Sequence, residues 1–228
     1  MIEIKNVTKS FGKKQNIFTA LKNVDLTIED GQTVSITGKS GSGKSTLMHV
    51  MSGLDRVSSG AIVINGRNLS TMSRRQSDSF RANEMSFIFQ AFFVEANQTC
   101  IDNVMLPLEI AKTTPSKRVA MAREALSSVD LTDKENVKAK NLSGGQKQRL
   151  AIARAIVNKP SLIFADEPTG NLDTATGNLV TDLLFDLNKK LGATLIIVTH
   201  DEDLASLCRQ KVVLKDGELM SSEVSKQS

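Results

Sequence analysis

The stretch Val34-Ser-Ile-Thr37-Gly38-Lys-Ser-Gly-Ser-Gly43-Lys44-Ser45-Thr46 decides how this chain is read. Val34–Thr37 is a short run suited to a buried strand. Gly38 to Ser45 then has the spacing G-x-x-x-x-G-K-[ST]. After it, Leu47, Val50, Met51 and Leu54 recur at i, i+3, i+4 and i+7, the period of a helix with one buried face. A strand, a glycine-rich turn and a helix in that order form an anion cradle. The glycines let successive backbone N–H groups turn inward, and the helix aims its N-terminus at the same point. On this pattern the loop Gly38, Lys39, Ser40, Gly41, Ser42, Gly43 and Thr46 lines a phosphate chain. Lys44 reaches its terminal phosphates, and Ser45 offers a hydroxyl to Mg²⁺.

Two further segments bear on the same chemistry. Leu162-Ile-Phe-Ala-Asp166-Glu167 is an apolar strand ending in two acids. Near a phosphate site one acid can hold Mg²⁺ and the other can orient or deprotonate an attacking water. Asp166 is assigned to the metal and Glu167 to catalysis. Leu142-Ser143-Gly144-Gly145-Gln146 precedes a helical stretch, with Ser143 as its N-cap. This is a second helix start with glycines that expose backbone N–H groups, far in sequence from the first.

Around these segments, Ile2, Ile4, Val24, Leu26 and Ile28 alternate as strands, with a turn at Lys13–Asn16. Ala61–Ile64, Asn65-Gly66 and Arg67–Leu69 make a hairpin signature. Residues 91–157 read as helical. Pro115 opens a helix whose Val119, Ala122, Leu126 and Val129 share a face, and a second helix covers 144–157. Strand–helix alternation then returns: a strand at 162–165, a helix over 176–190, and a strand at 194–198. A closing hairpin turns at Asp216-Gly217, and 221–228 reads as a frayed polar tail. A βα core interrupted by helices is an α/β domain with a helical insert. One such domain over residues 1–220, with 91–157 as the insert, suits a chain of 228 residues.

Composition narrows the function classes. Hydrophobic residues make up 40% and charged residues 24%, close to globular averages. No apolar run approaches the ~18–20 residues of a membrane span, and Met1-Ile-Glu-Ile-Lys5 lacks the apolar stretch of a signal peptide. Any membrane role is therefore expected through a partner. The net charge of +4 is spread among both signs, and Trp and Tyr are absent, so nucleic acid is not an expected partner. Cys100 and Cys208 have no His or Cys at metal-ligand spacing and read as small apolar residues. His49 is given no role.

Together, the Walker A segment 38–46, the signature 142–146, the Walker B segment 162–167, Asn171-Leu-Asp173 and His200 occur in the order of an ATP-binding cassette (ABC) ATPase, which the chain resembles over about residues 2–220. Gly53-Leu54-Asp55 and the segment Phe80-Arg81 to Phe89-Gln90 are similar to the lipoprotein-release and macrolide-export type. The resemblance implies a P-loop NTPase fold: a RecA-like α/β core, an N-terminal antiparallel β subdomain and an inserted α-helical subdomain. It implies ATP and Mg²⁺ as ligands. It places Phe11 where an aromatic, usually Tyr, stacks on adenine. Gln90 becomes the loop residue contacting metal or water, His200 the residue at the γ-phosphate, and Asp173 a residue at the dimer interface. It further implies a head-to-tail dimer. Each ATP would lie between one subunit's phosphate loop and the other's Ser143, Gly144, Gly145 and Gln146, and the cycle would drive a separate transmembrane permease at the cytoplasmic face. Ala91–Asn97 departs from the family pattern, lacking its Pro and leucine pair. Part of Phe92, Phe93 and Val94 is expected to face the permease; core packing is the competing reading. Alternatives are a signalling or mechanical ATPase that moves no cargo, and a translation factor, which usually carries two cassettes.

Overall fold

A computed structural model describes residues 1–13 and 16–225. Its strands are β1 (Ile2–Phe11), β2 (Phe18–Ile28), β3 (Thr33–Thr37), β4 (Ser59–Ile64), β5 (Arg67–Asn68), β6 (Met85–Phe89), β7 (Leu162–Asp166), β8 (Thr194–Val198), β9 (Gln210–Lys215) and β10 (Glu218–Val224). The longer helices are α1 (Lys44–Met51), α2 (Arg74–Glu84), α3 (Cys100–Ile110), α4 (Pro115–Ser128), α5 (Gly144–Ile156), α6 (Thr174–Leu191) and α7 (Glu202–Ser206).

Two sheets form. The N-terminal one is antiparallel with order β2-β1-β4-β5, and the larger has order β10-β9-β3-β8-β7-β6. In the larger sheet β9, β3, β8, β7 and β6 pair in parallel, and only β10 runs against its neighbour. Period-two alternation assigns each central side chain to a side. Leu162, Phe164, Ile196 and Val198 face a core shared with α1 and the antiparallel sheet. Ile163, Ala165, Leu195 and Ile197 face a second core under α3 to α6. A strand buried on both faces reads as a continuous apolar run, which is why β7 and β8 are evident from sequence.

Both predicted hairpins form. Asn65 and Gly66 take φ of 49° and 75°, and Asp216 and Gly217 take 51° and 83°, the left-handed pair that suits a two-residue connection. At the first turn Asn16 N–H donates to Lys13 O at 3.2 Å, while Lys14 and Gln15 lie outside the described residues.

Several expectations are corrected. Leu54 lies past the end of α1 and is exposed, because Gly53 turns left-handed and ends the face. Val119 is also exposed, whereas Ala122, Leu126 and Val129 are buried as expected. Residues 221–224 are not a frayed tail: they pair with β9, and only 226–228 lie outside the described residues. Helix α2 has no apolar stripe, with Phe80 its one buried residue; a capping box between Ser73 and Gln76 starts it. Helix α3 is a separate unit whose pattern is masked by Pro107; Thr99 and Asp102 cap it.

Candidate active site

The parallel strands bring the predicted residues together. In sheets of this kind ligands bind beyond the carboxyl ends of the strands. The phosphate loop follows β3, Gln90 follows β6, Glu167 follows β7, and His200 lies two residues past β8. The register aligns Phe89 with Asp166 and Asp166 with Val198, so those loops leave the sheet side by side.

The phosphate loop requires glycine at both ends. Gly38 has φ of 145°, and a Cβ there would lie 2.2 Å from Leu214 O. Gly43 has φ of 102°, and a Cβ there would lie 2.7 Å from Ala20 O. Inside the cradle Ser42 Oγ is buried without a hydrogen-bond partner, an arrangement that calls for an incoming polar ligand. Lys44 Nζ donates to Gly38 O at 2.8 Å and Lys39 O at 3.2 Å, so the ammonium sits on its own loop. Ser45 is exposed and Thr46 half-buried at the start of α1. An orphaned hydroxyl, a glycine-shaped loop and a cation in its mouth fit a polyphosphate.

Glu167 takes φ of 47°, a strained conformation for a non-glycine residue that costs roughly 1–2 kcal/mol. The strain has a visible return. Oε1 meets His200 Nδ1 at 2.7 Å and accepts from His200 N–H at 3.1 Å, and Oε2 accepts from Thr199 Oγ1 at 3.0 Å. The hydrogen bond to Glu167 raises the His200 pKa above its ordinary value, and their charge attraction adds to it. Asp166 is half-buried. Burial raises its pKa, the adjacent Glu167 charge adds to the rise, and His49 and Lys44 pull it down. Ser45, Asp166 and Gln90 supply oxygen donors only, which suits Mg²⁺ shared with phosphate oxygens. Gln90 is held in place: its Nε2 donates to Asn171 Oδ1 at 3.2 Å, and its carbonyl accepts from Asn171 Nδ2 at 3.0 Å.

The second helix start is built as predicted. Ser143 Oγ accepts from Gln146 N–H, and Gln146 Oε1 accepts from Ser143 N–H. This capping box satisfies the first and fourth donors. The two between them, on Gly144 and Gly145, have no intrahelical acceptor and are left to water or ligand. A depression of ≈ 510 Å³ lined by Ser143, Gly145 and Gln146 shares no residue with the phosphate loop. Asp173 caps α6, accepting from Thr176 N–H at 3.0 Å and Thr176 Oγ1 at 2.7 Å.

Phe11 is 42% exposed, so it is not a core side chain. The Phe92–Val94 cluster divides. Val94 packs on the helical core and Phe92 is half-buried, whereas Phe93 is 65% exposed with φ of 46°. Arg154 holds this turn by donating to Phe93 O at 2.7 Å. Sequence reasoning missed Thr199 and Arg154, and it gave Asn171 no role of its own. Each acts across 32 to 81 residues of chain, and no local spacing reveals such partners.

A phosphate cradle and an acid–imidazole pair at the carboxyl edge of a parallel sheet define a phosphate-loop nucleoside triphosphatase. The match to the ABC transporter family covers residues 21–170, and the chain belongs to that family. It is 41% identical to the lipoprotein-releasing system ATP-binding protein LolD of Geobacter metallireducens, over 97% of this chain and 98% of that one. It is also 41% identical to the macrolide export ATP-binding/permease protein MacB of Mannheimia succiniciproducens, over 96% of this chain but 34% of the larger protein. Its fold superposes with a TM-score of 0.89 on a dimeric ATP-binding cassette solved in a post-hydrolysis state with ADP and Pi, at 38% identity and full coverage of both chains. The chain is thus the ATP-binding subunit of an ABC transporter, an ATPase coupled to transport. Among the described residues no helix is long and apolar enough to cross a membrane.

Proposed function

We propose that this chain works as a head-to-tail homodimer that binds two ATP molecules and powers a separate membrane permease. The observation that carries the reading is the separation of two anion-directed sites on one chain. The depression lined by Ser143, Gly145 and Gln146 contains no residue of the cradle at 38–46, so one subunit's Gly144 and Gly145 are available to a phosphate held by another's loop.

In this reading Gly38 through Thr46 wrap the phosphates. Lys44 leaves its loop carbonyls for the β- and γ-phosphates. Phe11 stacks on the base; it keeps the ring of the more usual Tyr but has no hydroxyl to donate. Ser45, Asp166 and Gln90 would hold Mg²⁺, which when bound neutralises charge on the terminal phosphates. Glu167 accepts the proton of the attacking water, with Thr199 fixing its second oxygen. His200, on the other side of the same carboxylate, is placed to donate to the γ-phosphate. Asn171 positions Gln90, and Asp173 holds its turn at the subunit boundary. Two ATP molecules close the dimer, and hydrolysis leaves repelling charges that open it.

The exposed Phe93, on a turn anchored by Arg154 and next to the half-buried Phe92, is the proposed permease contact. The permease would belong to an export or lipoprotein-, macrolide- or peptide-related system; the relatives' names, lipoprotein-releasing and macrolide export, support the first two types. The chain would then sit peripherally at the cytoplasmic face of the membrane.

Glu167→Gln tests the composite site. The amide keeps shape and removes the base, so hydrolysis should fall by about 10²–10⁴-fold while binding survives. Size-exclusion chromatography with ATP should then show a stable dimer that the unaltered chain forms only in passing. A variant that stays monomeric at high protein and ATP concentration rejects the model.

A further inference from the structure

Lys9 is a buried cation that none of the chemistry above uses. The residue is 8% exposed. A buried ammonium demands partners, and three are present. Nζ donates to Asp55 Oδ1 at 2.7 Å and to Arg56 O at 2.8 Å, and it stands 4.6 Å from the centroid of the Phe11 ring. The last contact is a cation–π geometry.

Asp55 belongs to the turn that ends α1, with its N–H donating to His49 O at 3.1 Å. Lys9 therefore ties the strand bearing Phe11 to the far end of the helix that starts in the phosphate loop. The same two segments are fastened again beside it. Ser58 N–H donates to Thr8 O at 2.8 Å, and Ser10 N–H donates to Ser58 Oγ at 2.9 Å. Phe11 itself has no polar atom, and the ring is too exposed for core packing to fix it. Its cross-strand neighbour Phe18 is 62% exposed and gives no wall. Among the described residues the Lys9 ammonium is the one cation set over this ring.

We propose that Lys9, anchored by Asp55, is a positioning residue for the purine base of the nucleotide: it presents the Phe11 ring as a stacking platform at a fixed place relative to the phosphate loop. The inference rests on the reading of Phe11 as the base-facing residue. With Nζ on one face of the ring, the other face is left to the base. The cation also draws π density away from that face, which favours an electron-rich purine over bare water. A Tyr hydroxyl could be pinned by a hydrogen bond; a Phe ring cannot, so the cation takes over the placement.

Titrations of the full chain with ATP and with inorganic tripolyphosphate separate base placement from phosphate binding. Lys9→Met keeps the apolar stem and removes the charge. It should weaken ATP by about three- to tenfold, the loss appearing in KM, and leave tripolyphosphate binding unmoved. Lys9→Arg, which can pair with Asp55 and still face a ring, should restore ATP affinity to within about twofold. Asp55→Asn is the milder second variant, with a smaller loss in the same direction, should Lys9→Met fold poorly. Equal losses for both ligands, or a fall in Tm that Lys9→Arg does not rescue, would make Lys9 a structural brace and overturn the proposal. ATP affinity lost in Phe11→Ala but kept in Lys9→Met overturns the positioning role alone. ATP affinity unchanged in Phe11→Ala overturns the reading of Phe11, and the proposal with it.

Discussion

The loops Gly38–Ser45 and Ser143–Gln146 both depend on glycine, for different physical reasons. In the first, Gly38 and Gly43 hold backbone angles that other residues avoid, and any Cβ would strike a backbone carbonyl. Glycine there shapes a concave cradle within one chain. In the second, neither glycine has a positive φ. A Cβ on Gly145 would lie 2.3 Å from Thr176 Cγ2, so that glycine lets α5 approach α6. A Cβ on Gly144 would meet nothing closer than 3.8 Å, so that glycine keeps a helix end clear. One loop is shaped to enclose a ligand; the other is a packed helix start whose two free N–H groups suit a ligand held elsewhere. That contrast is the physical basis for the proposal of a site completed by two subunits.

The largest effect belongs to the cradle. Lys44→Ala should abolish ATP hydrolysis and strongly weaken nucleotide binding in purified protein. Tm should change little, since Lys44 bonds only to carbonyls of its own loop. Turnover that persists would remove the cradle from the catalytic half of the comparison.

The second loop is sharpened by separating its glycines. Gly145→Ala overpacks against Thr176 and should cost about 1–3 kcal/mol in denaturant unfolding. Thr176→Ser removes the offending methyl and keeps the hydroxyl for Asp173, so the double variant should recover most of that loss. Gly144→Ala should leave stability nearly unchanged while weakening ATP-dependent dimerisation of the Glu167→Gln chain. A Gly144→Ala variant that unfolds, or one that dimerises fully, contradicts the assignment of that position to a ligand surface.

Phe93→Asp tests the exposed turn between the two loops' elements. Phe93 is mostly exposed and keeps one edge-on contact with the Phe89 ring, so Tm should fall only slightly and basal ATPase should hold while co-purification with the permease is lost. Undiminished co-purification removes Phe93 from the contact.

The smallest effect is electrostatic. Glu167 raises the His200 pKa, so the charged pair is complete below the ordinary imidazole value of about 6.5 and is lost as pH rises through the raised value. The His200 side chain is 77% exposed, so the link adds little to global stability. NMR titration of His200 should show the elevated midpoint, and Glu167→Gln should return it towards the ordinary value. An unchanged midpoint would mean that the carboxylate is not what holds the imidazole.

Residues that act through nearest neighbours were legible from order alone. Gly38 to Ser45, the Ser143–Gln146 cap and the Asp166-Glu167 strand end each announce themselves within eight positions, because backbone angles and helix caps are local demands. The continuous apolar runs of β7 and β8 were equally plain. Other features were hidden. Helix α2 is polar almost all round, and α3 carries an internal proline, so neither shows a stripe.

Sequence by itself determined the family, the phosphate cradle and the identity of the acids, since those rest on residue type and short spacing. Tertiary structure alone decided which partner each group meets. It set Thr199 and His200 on opposite oxygens of Glu167, Asn171 on Gln90, Arg154 on the Phe93 turn and Lys9 behind the Phe11 ring. Apart from the two-residue step from Lys9 to Phe11 along β1, such contacts join residues 32 to 81 positions apart through strand register and helix packing. Only the closed chain fixes those long-range terms, because they come from which elements the two cores force together.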